Sequence, residues 1–144
     1  GAVLSTDIIV GFPGETDEEF EDTLDVVRKL NFEQIFMFIY SIREGTLAAK
    51  REDQVPEEAK HIRFNKLKDL YDSRVDENNE KYINTIQKIL VEGESKNNKE
   101  MYTGRTDTNK VIVFKPTGNE KVGDIIKVKV LSNHRWYLGG EVSE

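Results

Sequence analysis

The chain has 144 residues, 37% apolar and 33% charged, which suits one ordinary globular domain or two small ones and excludes a disordered or collagen-like polymer. It has no cysteine, so it forms no disulfide and offers no thiolate to a metal. The net charge of −6 is uneven: residues 1–79 carry 10 Lys and Arg against 18 Asp and Glu, while residues 80–144 carry 11 against 9.

The second part, with its small positive excess, is the one expected to meet a polyanion. No apolar run approaches the roughly 20 residues of a membrane span. No basic-apolar leader opens the chain, so a cytoplasmic protein without membrane contact is expected. A leading Gly-Ala followed at once by strand-like sequence predicts a segment of something longer.

Residues 7–11 (DIIVG) form a short apolar run closed by glycine, as in a strand buried on both faces. Thr16 followed by Glu19 forms a capping box, and Asp17, Glu18 and Glu19 suit the positive end of a helix. Phe20, Leu24, Val27 and Leu30 then mark one helical face ending near Asn31. FEQIFMFIY, residues 32–40, predicts a second buried strand, parallel to the first. A polar connection follows, and Pro56 opens a long helix reaching about residue 80.

From residue 85 the apolar period becomes two. TIQKILVE, MYTGRT, KVIVF, DIIKVKVLS and YLGGEV predict five short antiparallel strands closing into a small barrel. Two strands and a helix do not close a sheet, so the first part reads as the tail of a larger parallel β/α, TIM-like barrel with bare edges. The expected fold is thus α/β plus all-β, with domains at 1–79 and 80–144.

Four motifs carry functional expectations. In TDIIVGFPGET, Gly11 and Gly14 permit close backbone approach to a ligand and Pro13 stiffens the turn, while Asp7 or Glu15 is placed to accept hydrogen bonds from a ribose or amino group. The competing reading is a ligand-free strand-to-helix turn. In YSIREGT, Arg43 suits a carboxylate or phosphate and Tyr40 suits stacking on a base, against a simple Arg43–Glu44 pair in solvent.

Residues 95–115 bring Lys96, Lys99, Arg105, Lys110 and Lys115 together with Asn97, Asn98, Asn109 and Tyr102, a composition that suits RNA backbone and unstacked bases as well as an ordinary solvated face. In NHRWYLGGE, Trp136 is expected in the core, with His134 and Arg135 near enough to a strand end to reach a phosphate. Neither His61 nor His134 has a partner for a metal or catalytic dyad, so no catalytic residue and no metal ligand are assigned.

Taken together the motifs resemble the MiaB-type tRNA methylthiotransferases, a branch of the radical S-adenosylmethionine (SAM) enzymes, along nearly the whole chain. TDIIVGFPGETDEEFEDTL is similar to that family's late barrel strand and helix. FIYSIREGTLAAK is similar to its YS-x-R-x-GT-x-AA segment, with Ile42 and Glu44 where prolines are common. DQVPEEAKHIR resembles the start of its connecting helix. GRTDTNKVIVF at residues 104–114 and VGDIIKVKV resemble its C-terminal TRAM barrel, an OB-like RNA-binding fold.

The resemblance implies a C-terminal part of an enzyme that adds a methylthio group to isopentenyladenosine beside the anticodon, using SAM and two 4Fe–4S clusters. Cluster ligands are cysteine thiolates, which this chain lacks, so the segment alone is expected to be inactive. The resemblance places Ile9, Gly11, Phe12 and Gly14 along the cofactor, with Tyr40, Ser41 and Arg43 bordering cofactor or substrate. Lys96, Lys99, Arg105, Asn109, Lys110, Lys115, His134 and Arg135 are the candidate RNA contacts, with the tRNA anticodon stem-loop as partner. A dimer through the bare sheet edge is also expected. The alternatives are a non-catalytic TRAM-type RNA-binding module and a sibling methylthiotransferase with another substrate.

Overall fold

The computed structural model describes residues 2–144, which divide into two compact units meeting inside one helix, at Arg74 and Val75. In the first unit, β1 (Leu4–Val10), α1 (Asp17–Lys29) and β2 (Phe32–Ile39) form a β-α-β unit, followed by a 3₁₀ turn (Ala48–Lys50) and helix α2 (Glu57–Glu80). β1 and β2 pair in parallel, with Asp7 opposite Phe36 and Ile9 opposite Phe38.

The start of α1 follows from its sequence. Thr16 Oγ1 accepts from the Glu19 amide at 3.2 Å, and Glu19 Oε2 accepts from the Thr16 amide at 2.9 Å. Phe20, Leu24 and Val27 are buried along one face, as are Leu67 and Tyr71 of α2 and Val10 and Ile35 of the sheet. Burial of the Tyr71 ring pushes its hydroxyl pKa upward.

The expectation of strands buried on both faces is corrected. One face is covered, but on the other Ile9, Phe36 and Phe38 stand 54%, 46% and 52% exposed, beside exposed Asp7. The sheet has two strands among the described residues, so each also keeps an unpaired edge.

The second unit is a closed five-stranded barrel in the order β3 (Ile86–Glu94), β4 (Tyr102–Thr106), β5 (Val111–Lys115), β7 (Leu138–Val142) and β6 (Ile125–Asn133). The expected all-antiparallel pairing is corrected: β5 and β7 are parallel. A closed ring with an odd number of strands cannot alternate direction at every step, so one neighbouring pair must run the same way. Ile89, Val91, Ile112, Phe114, Val128, Val130 and Leu138 fill the interior, from alternating strand positions. Gly104 is required there, because a Cβ would overlap the Ile89 side chain and the Leu90 carbonyl.

The last turns of α2, from Val75, belong to this unit. Asn79, 1% exposed, donates from Nδ2 to Asn133 Oδ1 and to the Arg135 carbonyl, both at 2.8 Å, and accepts from Lys110 Nζ at 2.8 Å. Tyr82 shares a hydrogen bond with Thr108. Trp136 is not in the core, correcting the sequence expectation. It lies 57% exposed in the β6–β7 turn, where Arg135 takes a positive φ of 65° and Leu138 supplies the inward side chain instead.

Candidate functional site

The turn after β1 is built around two glycines with φ of 78° (Gly11) and 85° (Gly14), a region costly for other residues. Their missing side chains make room for the protein itself. A Cβ on Gly11 would overlap the Lys60 stem, and one on Gly14 would meet Arg51 and Asp53, which pair with each other. The Gly14 amide donates to the Asp53 carbonyl at 2.8 Å, and the Gly11 amide to Glu15 Oε1 at 3.0 Å.

Lys60, 1% exposed, donates from Nζ to the Tyr40 carbonyl at 3.3 Å and to Glu57 Oε1 at 2.9 Å. Its ammonium lies 5.3 Å from the Tyr40 ring centroid, a cation–π distance. Hydrogen bonding to Lys60 holds the Glu57 carboxyl below the usual carboxylate range.

One turn further on, Arg63 donates from Nη1 to Glu15 Oε1 at 2.9 Å and to the Glu15 carbonyl at 3.0 Å, and from Nη2 to Asp17 Oδ1 at 2.7 Å. Burial opposes its charge, but the hydrogen bonds to Asp17 and Glu15 outweigh burial and raise its pKa. Glu15, offered by the sequence as a ligand acceptor, is thus engaged in holding the turn to α2.

Sequence reading missed Lys60 and Arg63. The signal was present: with Leu67, Tyr71 and Val75 they follow helical spacing, which puts two cations on a buried stripe.

The remaining candidates of this unit lie on or beside the open sheet face. Asp7 and Ile9 are on it, and Phe12 meets Tyr40 edge-on with ring centroids 5.3 Å apart. The Tyr40 amide donates to the Val10 carbonyl, tying the two strand ends together. The Tyr40 hydroxyl is buried without a hydrogen-bond partner among the described residues. Ser41 and Arg43 are exposed in the loop beyond β2. A hollow of about 350 Å³ is lined by Phe12, Pro13, Gly14, Glu15, Glu19, Thr23 and Arg51.

In the barrel, a groove of about 860 Å³ brings the third and fourth motifs together: Lys96, Asn97, Asn98 and Arg105 line it with His134, Trp136 and Tyr137. The His134 ring stacks on Tyr137 at 4.7 Å and 13°, and its Nε2 lies 2.8 Å from Ser132 Oγ.

The other basic candidates are placed differently. Arg105 donates to Glu92 Oε1 at 2.7 Å and Asn109 Oδ1 at 3.0 Å, and Asn109 turns the chain with a φ of 67°. Lys110 is held by Asn79 and lies 5.9 Å from the Tyr82 ring centroid. Arg135 pairs with Asp76 at 2.8 Å, and that bond holds the Asp76 carboxyl below its usual range. Tyr102 packs edge-on against core Phe114. Lys99 and Lys115 are exposed, outside the groove.

Residues 80–143 match the TRAM domain family. Over 139 residues, 96% of the chain, it is 48% identical to the tRNA-2-methylthio-N(6)-dimethylallyladenosine synthase of Clostridium tetani, and over 141 residues, 98% of the chain, 48% identical to that of Bacillus mycoides. A protein of the same name from Natranaerobius thermophilus is 45% identical over 143 residues. Nearly the whole chain is therefore similar to part of these tRNA methylthiotransferases. It spans 30%, 28% and 32% of the length of these three methylthiotransferases, and the match covers both units. No helix among the described residues is long and apolar enough to cross a membrane.

Proposed function

We propose that this chain is the C-terminal part of a methylthiotransferase acting on isopentenyladenosine next to the anticodon of tRNA. On this reading residues 1–79 are the last wedge of a TIM-like barrel with its connecting helix, and residues 80–144 are the TRAM domain that grips RNA. The observation that carries it is the unbroken match to proteins of that name across both units, at 48% identity. The open sheet face supports the wedge, because Ile9, Phe36 and Phe38 are more apolar surface than a two-stranded sheet leaves uncovered without a neighbour.

The residues fit SAM as one wall of its site. The open face supplies apolar surface, and the buried Tyr40 hydroxyl has no hydrogen-bond partner among the described residues. Asp7, Ile9, Phe12, Tyr40, Ser41 and Arg43 would border the cofactor. Gly11, Gly14 and Glu15 would shape the wall from behind, given their contacts to Lys60, Asp53 and Arg63. When bound, SAM supplies the radical and the methyl chemistry of such enzymes. The residues do not fit the two 4Fe–4S clusters, whose thiolate ligands this chain does not have. The chain alone is therefore expected neither to bind iron nor to cleave SAM, and turnover by it would refute this assignment.

The RNA part is tested by titrating the chain with an anticodon stem-loop at rising salt. Phosphate contacts release counterions, so affinity should fall as salt rises. An unchanged affinity would remove the electrostatic contribution. Charge reversal belongs at Lys96 and Lys99, since Arg105 and Lys110 also hold the barrel together. A cytoplasmic location accords with a tRNA substrate. A dimer through the unpaired edges of β1 and β2 would show as a concentration-dependent mass in light scattering.

A further inference from the structure

We propose that Trp136 is a stacking platform for an unpaired RNA base at the mouth of the barrel groove. The proposal rests on the RNA-binding reading and adds to it the residue and the kind of contact. Trp136 is the only tryptophan of the chain, and its side chain is spent on the surface. It lines both the main groove and an adjoining hollow bordered by Asp76, Glu80, Asn133 and Arg135, so it stands on the lip between them. Leu131 and Tyr137, 47% and 41% exposed, line the same groove and extend the apolar strip.

The turn beneath the indole is fixed from every side. The Trp136 amide donates to the His134 carbonyl at 2.9 Å, and the His134 amide to the Tyr137 carbonyl at 3.0 Å. Asn133 Oδ1 accepts from the Arg135 amide at 2.7 Å, and Asn79 Nδ2 holds the Arg135 carbonyl. An aromatic with two side-chain torsions on an anchored turn has little entropy to lose when a partner lands on it, which is what a binding platform requires.

The occupant follows from the rest of the lining. Arg105 and Glu92 neutralise each other across the groove, so charge contributes little there. Lys96 shares the lining with Glu94, which leaves the groove near neutral, and the Asn97 and Asn98 amides each offer donors and an acceptor suited to base edges. An aromatic surface and amides with balanced charge suit the splayed bases of a single strand more than its phosphates.

The test uses the 144-residue chain and its intrinsic indole emission. The probes are fluorescein-labelled hexaadenylate, followed by anisotropy, and inorganic polyphosphate of similar charge. Hexaadenylate should quench Trp136 emission in step with the anisotropy, and polyphosphate should not. Trp136→Ala should weaken binding roughly five- to a hundredfold, and Trp136→Phe less. That loss should be the same at about 50 mM and about 300 mM salt, because stacking releases no counterions.

Bound hexaadenylate with unchanged emission, or equal affinity for Trp136→Ala, overturns the stacking role while RNA binding stands. Equal quenching by polyphosphate assigns the site to charge and overturns it too. An emission shift on concentrating the protein without RNA would make the strip a contact between copies. No anisotropy change at all removes the RNA reading, and this one with it.

Discussion

The Lys60 side chain occupies the space that Gly11 leaves empty, and its ammonium reaches the Tyr40 carbonyl at the end of the neighbouring strand. One buried cation on α2 thereby fixes the ends of both strands of the parallel pair. Glycine at position 11 serves the packing of Lys60 as well as the positive φ of the turn.

Gly11→Ala should destabilise the first unit by about 2–4 kcal/mol, combining left-handed backbone strain with overpacking. Lys60→Ala removes the overlapping atoms, so the double variant should lose less than the sum of the two single ones. Urea unfolding followed by far-ultraviolet circular dichroism checks both, since the helices dominate that signal.

Arg63→Met leaves Glu15 largely buried without its cation and should cost about 3–4 kcal/mol. Arg63→Lys should recover only part, because an ammonium cannot reach Glu15 and Asp17 with the planar fork seen here. Thermal unfolding of the three proteins would rank them, and a lysine variant as stable as the parent would show that charge alone suffices.

Asn79→Ala strips the Asn133 side chain, the Arg135 carbonyl and Lys110 of a buried partner, and about 2–3 kcal/mol of barrel stability should go with it. A chain starting at residue 80 should suffer the same loss, although the TRAM match begins there. Trp136 emission reports the barrel alone, so denaturant midpoints read from it isolate this effect.

Asp76 has a folded-state pKa depressed by Arg135, so its contribution is present above its ordinary value of 3.8 and lost as pH falls through the lower folded value. Asp76→Asn should therefore lower barrel stability at neutral pH, and the gap between variant and parent should close as the pH drops below about 4. Denaturant midpoints at a series of pH values measure that gap. A gap independent of pH would mean that the ion pair with Arg135 is not its cause.

Local chemistry alone determined the elements of this protein. Capping at Thr16, the helical spacing of Phe20, Leu24 and Val27, and strict alternation in IIKVKV place helices and strands within a residue or two of where they lie, except that β1 begins three residues before the apolar run, at Leu4. Those signals are short-range, and neighbours in sequence suffice to set them. Five strands in a closed ring also require one parallel pair, which is set by the strand count alone.

Only the tertiary structure decided which polar groups are consumed by the fold and which are left for a partner. Glu15, Arg105 and Lys110 looked available, but Arg63, Glu92 and Asn79 reach them from distant positions in the chain. Trp136 looked like core, but a left-handed residue before it turns it to the surface. Burial and pairing are set by what arrives across space, and hydrophobicity or charge at one position does not specify it.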